Sequence, residues 1–186
     1  MTISEGLNAI IDLNGHNINA GLFAESDGNI TEGNTDSYVF WVKKGGKLTI
    51  KGNGTVTAAT CSYSMAVWAE GGEVIIEGGA FTTQGTSSDL IYASFGGKIK
   101  IYGGEFVANP KVAGEAGTNN EYSALNLKDN TLANGDAGKD NEIIVYGGRF
   151  YKFNPKDNKS EGPNTNFVAE GYNVTQEGDY YIVVKN

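Results

Sequence analysis

Apolar residues along this chain recur in short alternating runs. Leu48-x-Ile50, Val74-x-Ile76, Ile99-x-Ile101, Ile143-x-Val145 and Ile11-x-Leu13 each place two aliphatic side chains one residue apart. Alternation of period two in runs bounded by glycine predicts strands. No segment sustains the i, i+3, i+4, i+7 spacing of a capped amphipathic helix, so helices are expected to be nearly absent.

The runs themselves repeat. "YVFWVKKGGKLTIKGNGTVTA" (38–58), "SMAVWAEGGEVIIEGGAFTT" (64–83) and "DLIYASFGGKIKIYGGEFVA" (89–108) align on glycine pairs that begin at positions 45, 71 and 96, a spacing of about 25 residues. A fourth copy is split. "YSALNLKDN" (122–130) and "NEIIVYGGRF" (141–150) flank the insertion "TLANGDAG", and the opening "AIIDLNGHNINA" (9–20) matches the second half of a unit. Several strands in about 25 residues leave no room for helical crossovers. A coil whose turns stack about 4.8 Å apart is the economical solution. The reading is therefore an all-β chain coiled as a parallel β-helix. One inner ladder would hold Leu13, Ile50, Ile76, Ile101 and Val145, and a second Ile18, Val56, Phe81, Phe106 and Phe150. Glycine pairs would mark the corners.

One domain is expected over 1–186, with coils over 9–150 and a surface loop over 151–166 that holds two of the three prolines. A C-terminal cap over 167–186 is expected as a hairpin looping at Gln176–Gly178. Only a short segment precedes residue 9, so the N-terminal cap looks thin.

"IDLNGHNI" (11–18), the repeated "GG-x-β-x-β-x-GG-x-F" phrase and the tail "VAEGYNVTQEGDYYIVV" (168–184) together resemble right-handed parallel β-helix proteins of the pectate-lyase-like superfamily. The likeness is closest to Gly-Asn-rich solenoids of gut-bacterial surface proteins and bacteriophage fibres. It implies a right-handed coil. It implies no single activity, because that coil carries lyases, hydrolases, adhesins and inert spikes.

Composition narrows the functions. With 14 basic and 22 acidic residues the net charge is −8, and Arg149 is the only arginine, against a nucleic-acid footprint. The single cysteine, Cys61, excludes an internal disulfide and reads as a small semi-buried hydrophobe. No apolar run is long enough to span a membrane, and the opening residues show no signal-peptide pattern.

Chemistry is sparse. The lyases of the superfamily use an arginine base beside calcium-binding acids, but Arg149 occupies a repeat position shared with Ala80 and Glu105, as a solvated surface slot would. His16, the sole histidine, lies in a corner, with no second glycine after it and no nucleophile near it in sequence. Glu70, Glu73, Glu77 and Glu105 could bring carboxylates together on neighbouring turns, as a glycosidase needs. Lys51, Glu77 and Tyr102 share an outward column, however, which suits alternating surface chemistry better. No metal-ligand spacing or phosphate-cradling loop is present, and no cofactor is expected.

The surface candidates are aromatic: Trp41, Trp68 and Tyr92 in one arm, Tyr102 and Tyr146 in another. They could stack on sugar rings or pack against a second subunit. "VFWV" and "AVWA" are apolar on both parities, which suggests strands covered on both faces and hence an oligomer interface. The expectation is a non-enzymatic structural or adhesive fibre, spike or decoration protein of a phage particle or cell surface. It would form a homo-oligomer, with a trimer favoured, and its partners would be a surface polysaccharide or other virion proteins. The alternatives are a polysaccharide lyase or hydrolase on the same coil and an ice-binding face built on "TVT" (55–57) and "FTT" (81–83).

Overall fold

Glycine-punctuated runs of this length can satisfy their backbone groups only by pairing sideways. The computed structural model describes residues 1–20, 36–59, 63–83, 88–108, 122–157 and 165–186, and these are organised as successive triplets of strands. The first triplet is β1 (Thr2–Ile3), β2 (Asn8–Asp12) and β3 (Ile18–Asn19), followed by β4 (Asp36–Lys43), β5 (Lys47–Lys51) and β6 (Thr55–Thr57). The third is β7 (Tyr63–Glu70), β8 (Glu73–Ile76) and β9 (Ala80–Thr82), and the fourth β10 (Ser88–Ser94), β11 (Lys98–Ile101) and β12 (Glu105–Val107). β13 (Tyr122–Leu127), β14 (Glu142–Val145) and β15 (Gly148–Tyr151) complete the fifth, and β16 (Tyr172–Glu177) and β17 (Tyr180–Lys185) close the chain. Among the described residues the helical content is one 3₁₀ turn, Gly135–Gly138, inside the expected insertion.

Each triplet adds one strand to each of three sheets. Sheet A runs β1-β4-β7-β10-β13, sheet B runs β2-β5-β8-β11-β14, and sheet C runs β3-β6-β9-β12-β15 and continues into β17 and β16. Strands of successive triplets pair in parallel; the hairpin β16–β17 and its join to β15 are antiparallel, as is an isolated bridge between Lys43 and Gly71. The class is all-β with parallel sheets. β1, which the sequence reading missed, pairs with β4 and supplies the first rung of sheet A.

In register, like side chains lie over one another. Val56, Phe81, Phe106 and Phe150 follow Ile18 in the expected column, and Phe106 stacks between Phe81 at 5.2 Å and Phe150 at 4.8 Å with ring planes within 11°. The aliphatic column needs one correction. Ile11, and not Leu13, faces Ile50, and the column continues through Ile76, Ile101 and Val145. Six residues separate Ile11 from Ile18, but five separate Ile50 from Val56. The first corner is therefore one residue longer, and matching glycines misplaced the strand before it. Leu13 is still buried, beneath the glycine corner, where a Cβ on Gly79 would come 2.7 Å from its Cδ1.

Glycine in the corners is required by both space and conformation. Gly104 has φ +112°, and a Cβ there would approach the Gly79 carbonyl oxygen at 2.9 Å, while a Cβ on Gly97 would overlap the Ala69 carbonyl. Side chains at these positions would push successive rungs apart.

The hairpin turns at Gly178–Asp179, two residues beyond the expected start at Gln176, because Gln176 and Glu177 still pair with Tyr181 and Tyr180. The stretch expected as a surface loop is partly interior. Phe153 and Pro155 are buried, and the Pro155 carbonyl accepts the Phe167 N–H at 2.8 Å. Cys61 lies outside the described residues.

Candidate functional site

The strands of sheet A change phase midway. Phe40, Val67, Ile91 and Leu125 are buried, and so are the residues just before each of them, Val39, Ala66, Leu90 and Ala124. Two consecutive buried residues interrupt the simple alternation of each strand. This accounts for the apolar residues on both parities. A single chain buries both sets, so the pattern demands no second subunit, contrary to the inference drawn from "VFWV" and "AVWA".

The same slip brings Tyr38 onto the outer face beside Trp41, though the two sit on opposite parities. Tyr38, Trp41, Trp68 and Tyr92 form a half-buried outer row. Trp41 and Trp68 stack at 5.1 Å and 10°, and Tyr92 follows at 6.4 Å and 44°. Tyr38 leans on both tryptophans at 4.9 and 5.8 Å. Polar partners fix the rings: Trp41 Nε1 donates to Glu70 Oε2 at 3.0 Å, Trp68 Nε1 to Ser94 Oγ at 2.9 Å, and Lys43 Nζ lies 3.9 Å from the Trp41 ring centre. Rings stacked rung upon rung occupy one another's faces and turn their edges to solvent. A sugar stacks on a free ring face. The row therefore acts first as an external brace.

Tyr102 and Tyr146, each in the corner just past β11 and β14, behave alike. They stack at 4.7 Å and 7°, and Tyr172 of β16 meets Tyr146 edge-on at 5.6 Å. Of the five aromatic candidates, Trp41, Trp68 and Tyr92 thus converge in one row on sheet A, and Tyr102 and Tyr146 in another at the corner that follows sheet B. Tyr102 is the most open, at 49% exposure.

Parallel register also decides what becomes of the charges. Lys47, Glu73, Lys98 and Glu142 share one column, with Lys47–Glu73 at 2.8 Å and Lys98–Glu142 at 4.0 Å. Glu70 stacks between Lys43 and Ser94, and Glu105 between Ala80 and Arg149. None of these carboxylates lies directly over another, so the repeat assembles no carboxylate dyad in those columns. The threonine ladder also stops early: Thr57 faces Thr82, but Thr82 faces Val107, and Thr55 faces Ala80.

Arg149, expected in a solvated surface slot, is half-exposed and makes contacts there. Its guanidinium lies 3.9 Å from the Tyr180 ring centre and its Nε 3.7 Å from Glu105 Oε2, and the Tyr180 hydroxyl donates to Glu105 Oε1 at 2.8 Å. This cluster ties the closing hairpin to sheet C. Partial burial, then the hydrogen bond and charge of Glu105, raise the Tyr180 hydroxyl above the ordinary tyrosine range. The Arg149–Glu105–Tyr180 cluster could not be read from sequence, because Tyr180 joins through an antiparallel strand outside the repeat. His16 is exposed, and its backbone carbonyl abuts Gly54 at the corner.

Among the described residues no group of three or more His, Cys, Asp or Glu is placed to hold a metal, and no helix is long and apolar enough to cross a membrane. No protein-family model, no curated protein and no solved structure matches the chain.

Proposed function

We propose that the chain is a right-handed parallel β-helix of the pectate-lyase-like kind, serving as a non-enzymatic structural or adhesive element on a phage particle or cell surface. The observation that carries this reading is the rotation of the chain through three parallel sheets with continuous internal columns. Right-handedness follows the general rule for parallel crossover connections. Such a stack grows by adding rungs, is stabilised mainly between neighbours, and presents flat faces. Those faces are braced here by self-stacked aromatics and alternating charges. They suit contact over an area better than a concave reaction centre.

Incubation with a broad panel of surface polysaccharides, with product analysis and a glycan-array binding measurement, tests it. Retention on a glycan or on whole cells without release of shorter saccharides is the expected result. Chain cleavage abolished by neutralising Glu70, Glu73, Glu77 or Glu105 would replace this reading with a polysaccharide-active enzyme.

A further inference from the structure

The two terminal strands of this stack carry opposite chemistry on their unpaired edges. At the C-terminal end the last strand is β16, where Asn173, Thr175, Gln176 and Glu177 are exposed, so its edge is polar. At the N-terminal end β2 pairs, among the described residues, with β5, and its central side chain, Ile10, is 65% exposed. Ala9, Ile11 and Ile18 are only partly buried there, although Leu48, Ile50 and Val56 one rung inward are fully covered. Behind them opens an apolar cavity of about 470 Å³ lined by Met1, Ile11, Ile18, Tyr38, Val39 and Phe40 among others. A bare apolar edge is a template for another strand.

We propose that this end is an interface between two copies of the chain, with β2 of each pairing antiparallel across a two-fold axis at Ile10. The sequence of β2, Asn-Ala-Ile-Ile-Asp, has the polarity this requires. Antiparallel pairing about Ile10 sets Ile10 against Ile10 of the second copy, Ala9 against Ile11, and Asn8 against Asp12. The carboxylates are thereby kept apart, and each meets an amide that can donate to it. The same axis exchanges the two flanking sheets, so β1 of one copy meets β3 of the other. Those strands are two residues each, equal in length. The two cavities then face one another and exclude water together. A parallel strand of another protein could use the same backbone edge, but it would not need this symmetry of polarity.

Sedimentation equilibrium of the full chain, with light scattering, reads the result. A concentration-dependent dimer is expected, and Ile10→Lys should raise its dissociation constant at least about tenfold. Because Ile10 is exposed, circular dichroism of the variant should match the parent, and so should its melting at concentrations where the parent is monomeric. Tyr102→Lys, just past β11 and away from the end, should dimerise as the parent does. In a Cys61→Ser background, Ile10→Cys should be captured as a dimer by a short bis-maleimide and Lys100→Cys should not. A monomer at every concentration, a trimer, or a dimer indifferent to Ile10→Lys would overturn the proposal.

Discussion

Ile11 and Val145 stand at opposite ends of one aliphatic column, and their surroundings differ. Val145 is fully buried. Its N–H reaches the Phe167 carbonyl at 2.8 Å, its carbonyl accepts from Ala169 at 3.0 Å, and Val168 forms a parallel bridge beside it. Ile11 has β5 on one side and no described strand on the other, and it is only partly buried. The neighbouring column repeats the contrast. Phe150 lies between Phe106 and Phe153 and pairs across to Tyr181 of the hairpin, whereas Ile18 pairs, among the described residues, with Val56 alone. A stacked chain solves its interior by repetition, since each rung covers the next. Its ends have no next rung, so each needs residues outside the repeat. The C-terminal end has them in 153–157 and 165–186, whereas among the described residues the first rung keeps Ile11 and Ile18 only partly buried.

Mutations of equal size should therefore cost unequally along one column. Phe150→Ala should destabilise most, by about 3–5 kcal/mol, because it removes a fully buried ring stacked on Phe106 and tilted against Phe153. A fall in the midpoint of chemical or thermal unfolding would show it. Ile11→Ala, at the open end, should cost the isolated chain about 1 kcal/mol, less than half of the 2–5 kcal/mol typical of a buried site such as Ile76. Equal losses at Ile11 and Ile76 would mean that both ends are sealed.

The closing hairpin offers a sharper probe. Arg149→Ala should weaken its attachment by about 0–1 kcal/mol, since both Arg149 and Glu105 are substantially exposed and a solvent-screened pair contributes little. Hydrogen exchange should quicken in β16 and β17 before it quickens in β5 or β8. The Tyr180 hydroxyl is held above its ordinary range, so the folded chain keeps this proton more firmly than the unfolded chain does. Stability from this group is complete below about pH 10 and is lost as pH rises through the folded value. Tyr180→Phe should flatten that alkaline loss in melts taken from pH 9 to 11. Smallest of all, Lys47→Gln should change stability by less than about 0.5 kcal/mol, because the Lys47–Glu73 pair is more than half exposed on both sides.

Much of this was legible in the chain. Alternation and glycine spacing identified the paired segments, the split fourth copy and the phenylalanine column, because in-register parallel stacking makes each rung write the same code. The legibility failed where local geometry departed from the repeat. One extra residue in the first corner shifted Leu13 out of the column assigned to it, and two short segments, Thr2–Ile3 and Phe153–Pro155, carried too little pattern to be read as interior. The aromatic candidates were correctly grouped by column. What their faces touch depended on ring orientation, which alternation does not encode.

By itself the sequence determined the strand-forming segments, their repeat and the chemical identity of most columns, since burying period-two apolar runs cut by glycine leaves few alternatives to parallel stacking. Only the tertiary structure decided the exact register of the first rung, the consecutive buried residues in sheet A and the bond between Tyr180 and Glu105, residues 75 positions apart. These features depend on where the backbone turns and on contacts made between distant segments. Neither leaves a periodic trace along the chain.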